Sequence, residues 1–125
     1  MKVVQTCAAP AAIGPYSQGV ISGNLVFTCG QIPISVGTGG VVGSTITEQT
    51  EQVIKNLSAV LGAAGSSIEK VVKTTCYLAS MDDFAAFNEV YGKYFTGKPA
   101  RSTVAVKQLP KSVLVEIDAI AELGC

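Results

Sequence analysis

Arginine occurs once in this 125-residue chain, at Arg101, among nine cationic residues of which the rest are lysines. Lysine therefore supplies positive charge in general, and the lone guanidinium marks a place that needs a planar fork. Such a fork grips a carboxylate through two parallel charge-assisted hydrogen bonds. The alternative is a structural ion pair. Glu116 is the second residue of interest, because it interrupts VLVEIDAIAE, the most apolar strand-like run of the sequence. A carboxylate among Val115, Ile117 and Ile120 is costly unless it is paired or hydrogen-bonded. It is inexpensive only where it points to water from a strand edge, and Asp118 and Glu122 share its parity. Asn88 falls between Phe84 and Tyr91 on the apolar stripe of a helix, where a buried amide must find partners. It either ties helix to strand or contacts a ligand. Tyr16 follows the stiff Gly14-Pro15 pair and either presents its phenol to a pocket or fills the core.

Histidine and tryptophan are absent. Ser-His-Asp and Cys-His nucleophiles, His-containing zinc sites and imidazole acid–base catalysis are thereby excluded. Proton transfer falls to carboxylates, Lys, Tyr, Cys or water. Cys7, Cys29, Cys76 and Cys125 include no C-x-x-C pair, which argues against zinc and thioredoxin-like chemistry. Cys29 and Cys76 lie in apolar strand-like runs, where a free buried thiol is common. Nine cations balance nine anions. Zero net charge argues against duplex nucleic acid and anionic membranes as partners. The stretch GTGGVVG, residues 37–43, approaches a phosphate-binding pattern but has Val42 at the third glycine position, so it reads as a flexible loop.

The elements that must position these residues follow from periodicity. Residues 2–7 predict a short strand, and 18–22 with 25–32 a hairpin around Ser22-Gly23-Asn24. Thr45 and Glu48 have capping-box spacing, and Val53, Ile54, Leu57, Val60, Leu61 and Ala64 recur at three and four, which predicts a helix over 46–64 stopped by Gly65. Residues 68–79 read as a strand. A second helix starts at Ser80, has Asp82 and Asp83 in its first turn, carries Phe84, Phe87, Tyr91, Tyr94 and Phe95, and ends at Gly97. Strands 102–109 and 113–122 close the chain, with Arg101 just ahead of the first. Val113, Val115, Ile117, Ala119 and Ala121 form one face of the last strand, while Leu114 and Ile120 lie on the other, so both sides expect cover. The order βββαβαββ fits a single domain over residues 1–125: an α+β fold with a mixed sheet and both helices on one face.

Apolar residues make up 48% and charged residues 14% of the chain, against a usual ~25% charged. With no third helix for the second sheet face, association with other copies of the chain is expected. The start MKVVQTCAAPAAIG is a poor signal peptide, interrupted by Gln5, Thr6 and Pro10, and no apolar run reaches membrane-spanning length. A cytoplasmic protein is expected.

Five ordered segments carry a resemblance: IGPYSQG (13–19), CGQIP (29–33), PARST (99–103), LPK (109–111) and VEIDAIA (115–121). Together they resemble the reactive intermediate/imine deaminase family, RidA or YjgF, nearly end to end. That resemblance implies a chorismate-mutase-like fold and a homotrimer whose sheets line a central barrel, with three sites between subunits. It implies hydrolysis of 2-imino acids such as 2-iminobutanoate and 2-iminopropanoate to 2-keto acids and ammonia, without cofactor or metal. Arg101 matches the family's carboxylate-binding arginine, and Glu116 the glutamate beside the imine and the attacking water. Tyr16, Ser17, Gly30 and Asn88 match pocket positions, and Cys29 and Thr103 complete the binding set. Two of these depart from the pattern of bacterial deaminases: Cys29 stands where Ser is frequent, and Thr103 where Cys is frequent. Thr103 suffices if position 103 contributes its backbone N–H, and not if a thiol is needed. A reactive Cys29 lacks a neighbouring base in the sequence. Two other functions compete with the deaminase: an endoribonuclease that inhibits translation, and a carboxylate-binding or chaperone-like trimer without turnover.

Overall fold

The computed structural model describes residues 1–124, and Cys125 lies outside the described residues. Six strands and two principal helices follow the expected order: β1 (Lys2–Val4), β2 (Gly19–Ser22), β3 (Leu25–Thr28), α1 (Ile46–Ala63), β4 (Val71–Leu78), α2 (Phe84–Tyr94), β5 (Ala100–Ala105) and β6 (Val115–Glu122). The capping box forms, with Thr45 Oγ1 accepting from Glu48 N–H and the Glu48 carboxylate accepting from Thr45 N–H. At the other end of α1, Gly65 takes φ +83°, and Gly65 N–H and Ser66 N–H donate to Gly62 and Leu61 carbonyls. This left-handed cap satisfies the last turn and favours the one residue without a Cβ.

The strands form one sheet in the order β1-β2-β3-β6-β4-β5, with β4 and β5 parallel and the other pairs antiparallel. Both β3 and β4 run antiparallel to β6, so β3, β4 and β5 point the same way. The crossovers through α1 and α2 both step towards β5. Right-handed connections between parallel strands stepping in one direction place both helices on the same face. Their buried residues form one core with Val26, Cys76, Leu78, Val115, Ile117, Ala119 and Ala121. The other face carries Phe27, Ile120, Asp118, Glu116, Tyr77 and Val104 by register. There Phe27 is 37% and Val104 46% exposed.

Several boundaries differ from the sequence expectation. The strand expected over 25–32 ends at Thr28, and Gln31 returns to the sheet as a single bridge to Ile117. The second helix is preceded by a separate 3-10 turn, Met81–Asp83, because Ser80 accepts from Asp82 N–H and caps that turn alone. Arg101 lies inside β5 rather than ahead of it. Pairing with β4 begins directly after Pro99, with Ala100 opposite Lys73. No helix among the described residues is long and apolar enough to cross a membrane.

Candidate active site

Arg101 faces the helix side of edge strand β5, opposite Thr74 of β4. Its Nη1 donates to Asn88 Oδ1 of α2 at 2.7 Å. Its guanidinium carbon sits 4.7 Å from the Tyr91 ring centroid and 5.6 Å from that of Phe84. Asn88 and Tyr91 are three apart on α2, so one helix face presents both to the same side chain. Asn88 is exposed rather than buried on the apolar stripe. It lies at the rim of that stripe, where it ties helix to strand through the arginine. Among the described residues Asn88 is the hydrogen-bond partner of the guanidinium, and the Nε–H side has none. An open hollow of about 570 Å³ adjoins it, lined by Tyr91, Phe95, Lys98 and Pro99 as well as Arg101. Thr103 shares the helix-side face of β5, and its Oγ1 is buried with no partner among the described residues.

Glu116 stands on the opposite face, in a central strand rather than at a sheet edge, opposite Tyr77. It is half-buried. Burial, and then the like charge of Asp118, push its pKa above the ordinary carboxylate value. Asp118 accepts a hydrogen bond from Tyr77 Oη at 3.3 Å, and burial raises its carboxyl too. Gly30 runs directly over Glu116: a Cβ added there would lie 2.1 Å from Glu116 Oε2. Only a residue without a side chain lets the backbone approach so closely. The bridges between Gln31 and Ile117, N–H to carbonyl in both directions, fix that approach.

Cys29, next in the chain, receives a hydrogen bond from Gln31 Nε2 at 3.3 Å. Burial raises its thiol pKa, Gln31 opposes the rise, and Glu116 and Asp118 add to it. The thiol is therefore not a poised nucleophile. Cys29 closes one end of an open groove of about 650 Å³ whose walls include Gly14, Pro15, Tyr16, Ser17 and Phe27. Tyr16 is 53% exposed and so is not a core aromatic. Its phenol accepts from Ile13 N–H at 3.4 Å, closing a tight loop over Gly14-Pro15.

Within one chain the expected residues thus divide into two groups. Arg101, Asn88 and Thr103 sit on the helix side of the edge strand. Glu116 lies on the open face, with Gly30 against it and the groove of Cys29, Ser17 and Tyr16 beyond Cys29. Three contributors were not among the expected site residues. Tyr91 and Phe84 read as core stripe, yet they flank the arginine. Gln18 is buried, its Nε2 donating to the Thr6, Ala9 and Pro10 carbonyls and its Oε1 accepting from Thr6 N–H at 2.7 Å. It clamps the N-terminal connector and so steadies neighbouring Ser17 and Tyr16. The i, i+3 spacing of Asn88 and Tyr91 was a signal for the first pair, whereas Gln18 lay within the IGPYSQG segment with nothing in the sequence to show its clamping role.

This fold has close counterparts. A family model described as Endoribonuclease L-PSP matches residues 6–123. A RutC family protein of Pyrococcus horikoshii is 53% identical over 121 residues, covering 96% of each chain. The chloroplastic Reactive Intermediate Deaminase A of Arabidopsis thaliana is 47% identical over 123 residues, which are 98% of this chain and 66% of the plant protein. The crystal structure of E. coli TdcF with bound serine superposes with a TM-score of 0.93 at 41% identity, covering 99% of this chain and 100% of that one. The chain belongs to the YjgF/RidA family. Names within that family diverge, the family model bearing a ribonuclease's name and the Arabidopsis relative a deaminase's.

Proposed function

We propose that the protein is a cytoplasmic, cofactor-free hydrolase that converts 2-imino acids, 2-iminobutanoate and 2-iminopropanoate among them, to 2-keto acids and ammonia. The observation that carries this reading is the placement of Arg101. Its guanidinium is held from one side by Asn88 and from below by Tyr91, with the Nε–H edge turned to no partner among the described residues. That edge suits the carboxylate of a small 2-imino acid, bound through two charge-assisted hydrogen bonds. The serine bound in the TdcF relative carries a carboxylate of the same kind.

The substrate already contains its electrophile, an iminium carbon, so it needs little general-acid assistance. Glu116 takes a proton from water as the oxygen adds to that carbon. The nitrogen then receives that proton, and the carbon–nitrogen bond breaks as the new hydroxyl releases its own, leaving keto acid and ammonia, which is protonated to ammonium. Holding the carboxylate and the water in fixed geometry supplies much of the acceleration. Gly30 supports this role, because it lets the backbone pass over Glu116 and restrict the carboxylate.

Arg101 and Glu116 face opposite sides of the sheet in one chain, so the reading needs a second copy. The apolar open face and the low charge content support a homotrimer in which the arginine edge of one subunit meets the Glu116 face of the next. Nucleic acid and membrane are not among the proposed partners.

The test is turnover of freshly generated 2-iminobutanoate beside a threonine dehydratase. Glu116→Gln should remain folded, still bind 2-oxobutanoate, and lose imine hydrolysis by at least ~10²-fold, the lower end of general-base contributions. Near-normal turnover by that variant would reject the base role, and an inactive wild-type protein would reject the deaminase.

A further inference from the structure

Tyr91 touches Arg101 and its strand neighbour at once. Its hydroxyl is 2.7 Å from Thr74 Oγ1, a fully buried bond. Thr74 is the cross-strand partner of Arg101, so the hydroxyl is pinned directly beside the arginine's own backbone position. The ring then lies under the guanidinium at 4.7 Å and stacks on Phe95 from below, with centroids 4.2 Å apart and planes 18° from parallel. Guanidinium, Tyr91 and Phe95 thus form a three-layer stack whose middle layer is anchored at its hydroxyl end. A long arginine side chain otherwise loses rotamer freedom when it binds a ligand. A cation held over an aromatic face has surrendered part of that freedom beforehand. Asn88 occupies Nη1, which fixes the rotation of the planar group and decides which edge remains for a ligand.

We infer that Tyr91, anchored through Thr74, is a positioning residue that presents the Nε–H edge of Arg101 to the substrate carboxylate. The inference deepens the deaminase reading and rests on its carboxylate clamp. It assigns to Tyr91 no contact with substrate.

A single arginine makes the test direct, because the isotope-labelled protein shows one arginine Nε–H signal by NMR. The experiment uses the full chain in its native oligomeric state and 2-oxobutanoate as the probe. In the wild type the signal should be displaced by the ring currents of Tyr91 and Phe84, and should move again on adding 2-oxobutanoate. Tyr91→Phe keeps the aromatic face but loses the hydroxyl bond to Thr74, so the displacement and the affinity should drop partway. Tyr91→Met keeps an apolar filler without a ring. It should bring the signal towards that of a free arginine and weaken 2-oxobutanoate binding by roughly 3- to 30-fold, the range of a partly desolvated cation–π contact. Imine hydrolysis should fall mainly through a raised KM. If Tyr91→Met fails to fold, Thr74→Val replaces it: the ring loses its anchor, and both the displacement and the affinity should drop partway. Removing the ring moves the signal whatever its role, so affinity decides: a merely structural tyrosine would leave 2-oxobutanoate affinity unchanged in folded variants, and that result overturns the positioning role while leaving the clamp intact. A wild-type signal that 2-oxobutanoate does not move overturns the clamp itself, and the inference with it.

Discussion

At the scale of single residues, the two charged groups are separable by substitution. Arg101→Lys keeps the positive charge but loses the planar fork, the Asn88 geometry and the stack on Tyr91. The loss of one charge-assisted hydrogen bond costs about 1.5–3 kcal/mol, on the order of ten- to a hundredfold in kcat/KM. Folding and assembly should survive, since the guanidinium is only partly covered; calorimetric affinity for 2-oxobutanoate alongside kcat/KM checks both halves. In the proposed reaction Glu116 supplies the pH dependence. Burial, and secondarily Asp118, raise its pKa, so the base form is populated at higher pH than for an ordinary glutamate. The acid limb of the kcat/KM profile should therefore lie above ~4.3, the unperturbed glutamate value. Asp118→Asn should shift that limb downward by removing a like charge. The sign for stability is the reverse of an ordinary salt-bridged carboxylate. A raised native pKa gives stability that is complete below the unfolded pKa and is lost as pH rises through the native one. Glu116→Gln should thus leave neutral-pH thermal stability equal or higher while activity collapses, which melting curves across pH would show.

At the scale of elements, the β3–β6 region holds the most sensitive backbone contact. Gly30→Ala introduces a methyl group where Glu116 Oε2 now lies, with the Cδ at 2.8 Å from the added carbon. The clash meets the far end of a flexible side chain, so the carboxylate swings aside and the sheet survives. A displacement of about 1 Å in a reacting group can cost ~10²-fold in rate. Gly30→Ala should therefore melt within a few degrees of wild type and lose about as much turnover as Glu116→Gln, a match that scanning calorimetry and the coupled assay test together. The elements themselves were largely legible beforehand. Capping at Thr45, the stop at Gly65 and the stripe Val53–Leu61 depend on hydrogen bonds and contacts spanning six residues or fewer. Asn88 was misplaced as buried because helical parity marks a face of α2 but not how far β5 extends to cover it.

At the scale of the whole molecule, the sheet has one finished face and one unfinished one. The helices cover the first, while Phe27, Ile120 and Val104 lie on the second beside Glu116 and Asp118. If three copies close those faces on one another, sedimentation should give about three times the 12.8 kDa chain mass, independent of dilution into the micromolar range. Phe27→Asp, on that open face, should produce monomers and abolish imine turnover although it lies outside the arginine hollow. A stable, fully active monomer would exclude a site shared between copies.

The sequence by itself determined the order of elements, the ends of the first helix, the inward face of β6 and the family. All of these are written in short-range periodicity, caps and contiguous motifs. It also singled out Arg101 and Glu116, because a unique guanidinium and a carboxylate in an apolar strand are anomalies of composition. Only the tertiary structure decided that these two residues face opposite sides of the sheet, that Tyr91 and Thr74 brace the arginine, and that Gly30 rides on Glu116. Those relations depend on which strands become neighbours and in what register. In this fold β6, the last strand made, inserts between β3 and β4, so its partners lie far away along the chain. No local pattern encodes a neighbour that is chosen by burying one face of the whole sheet.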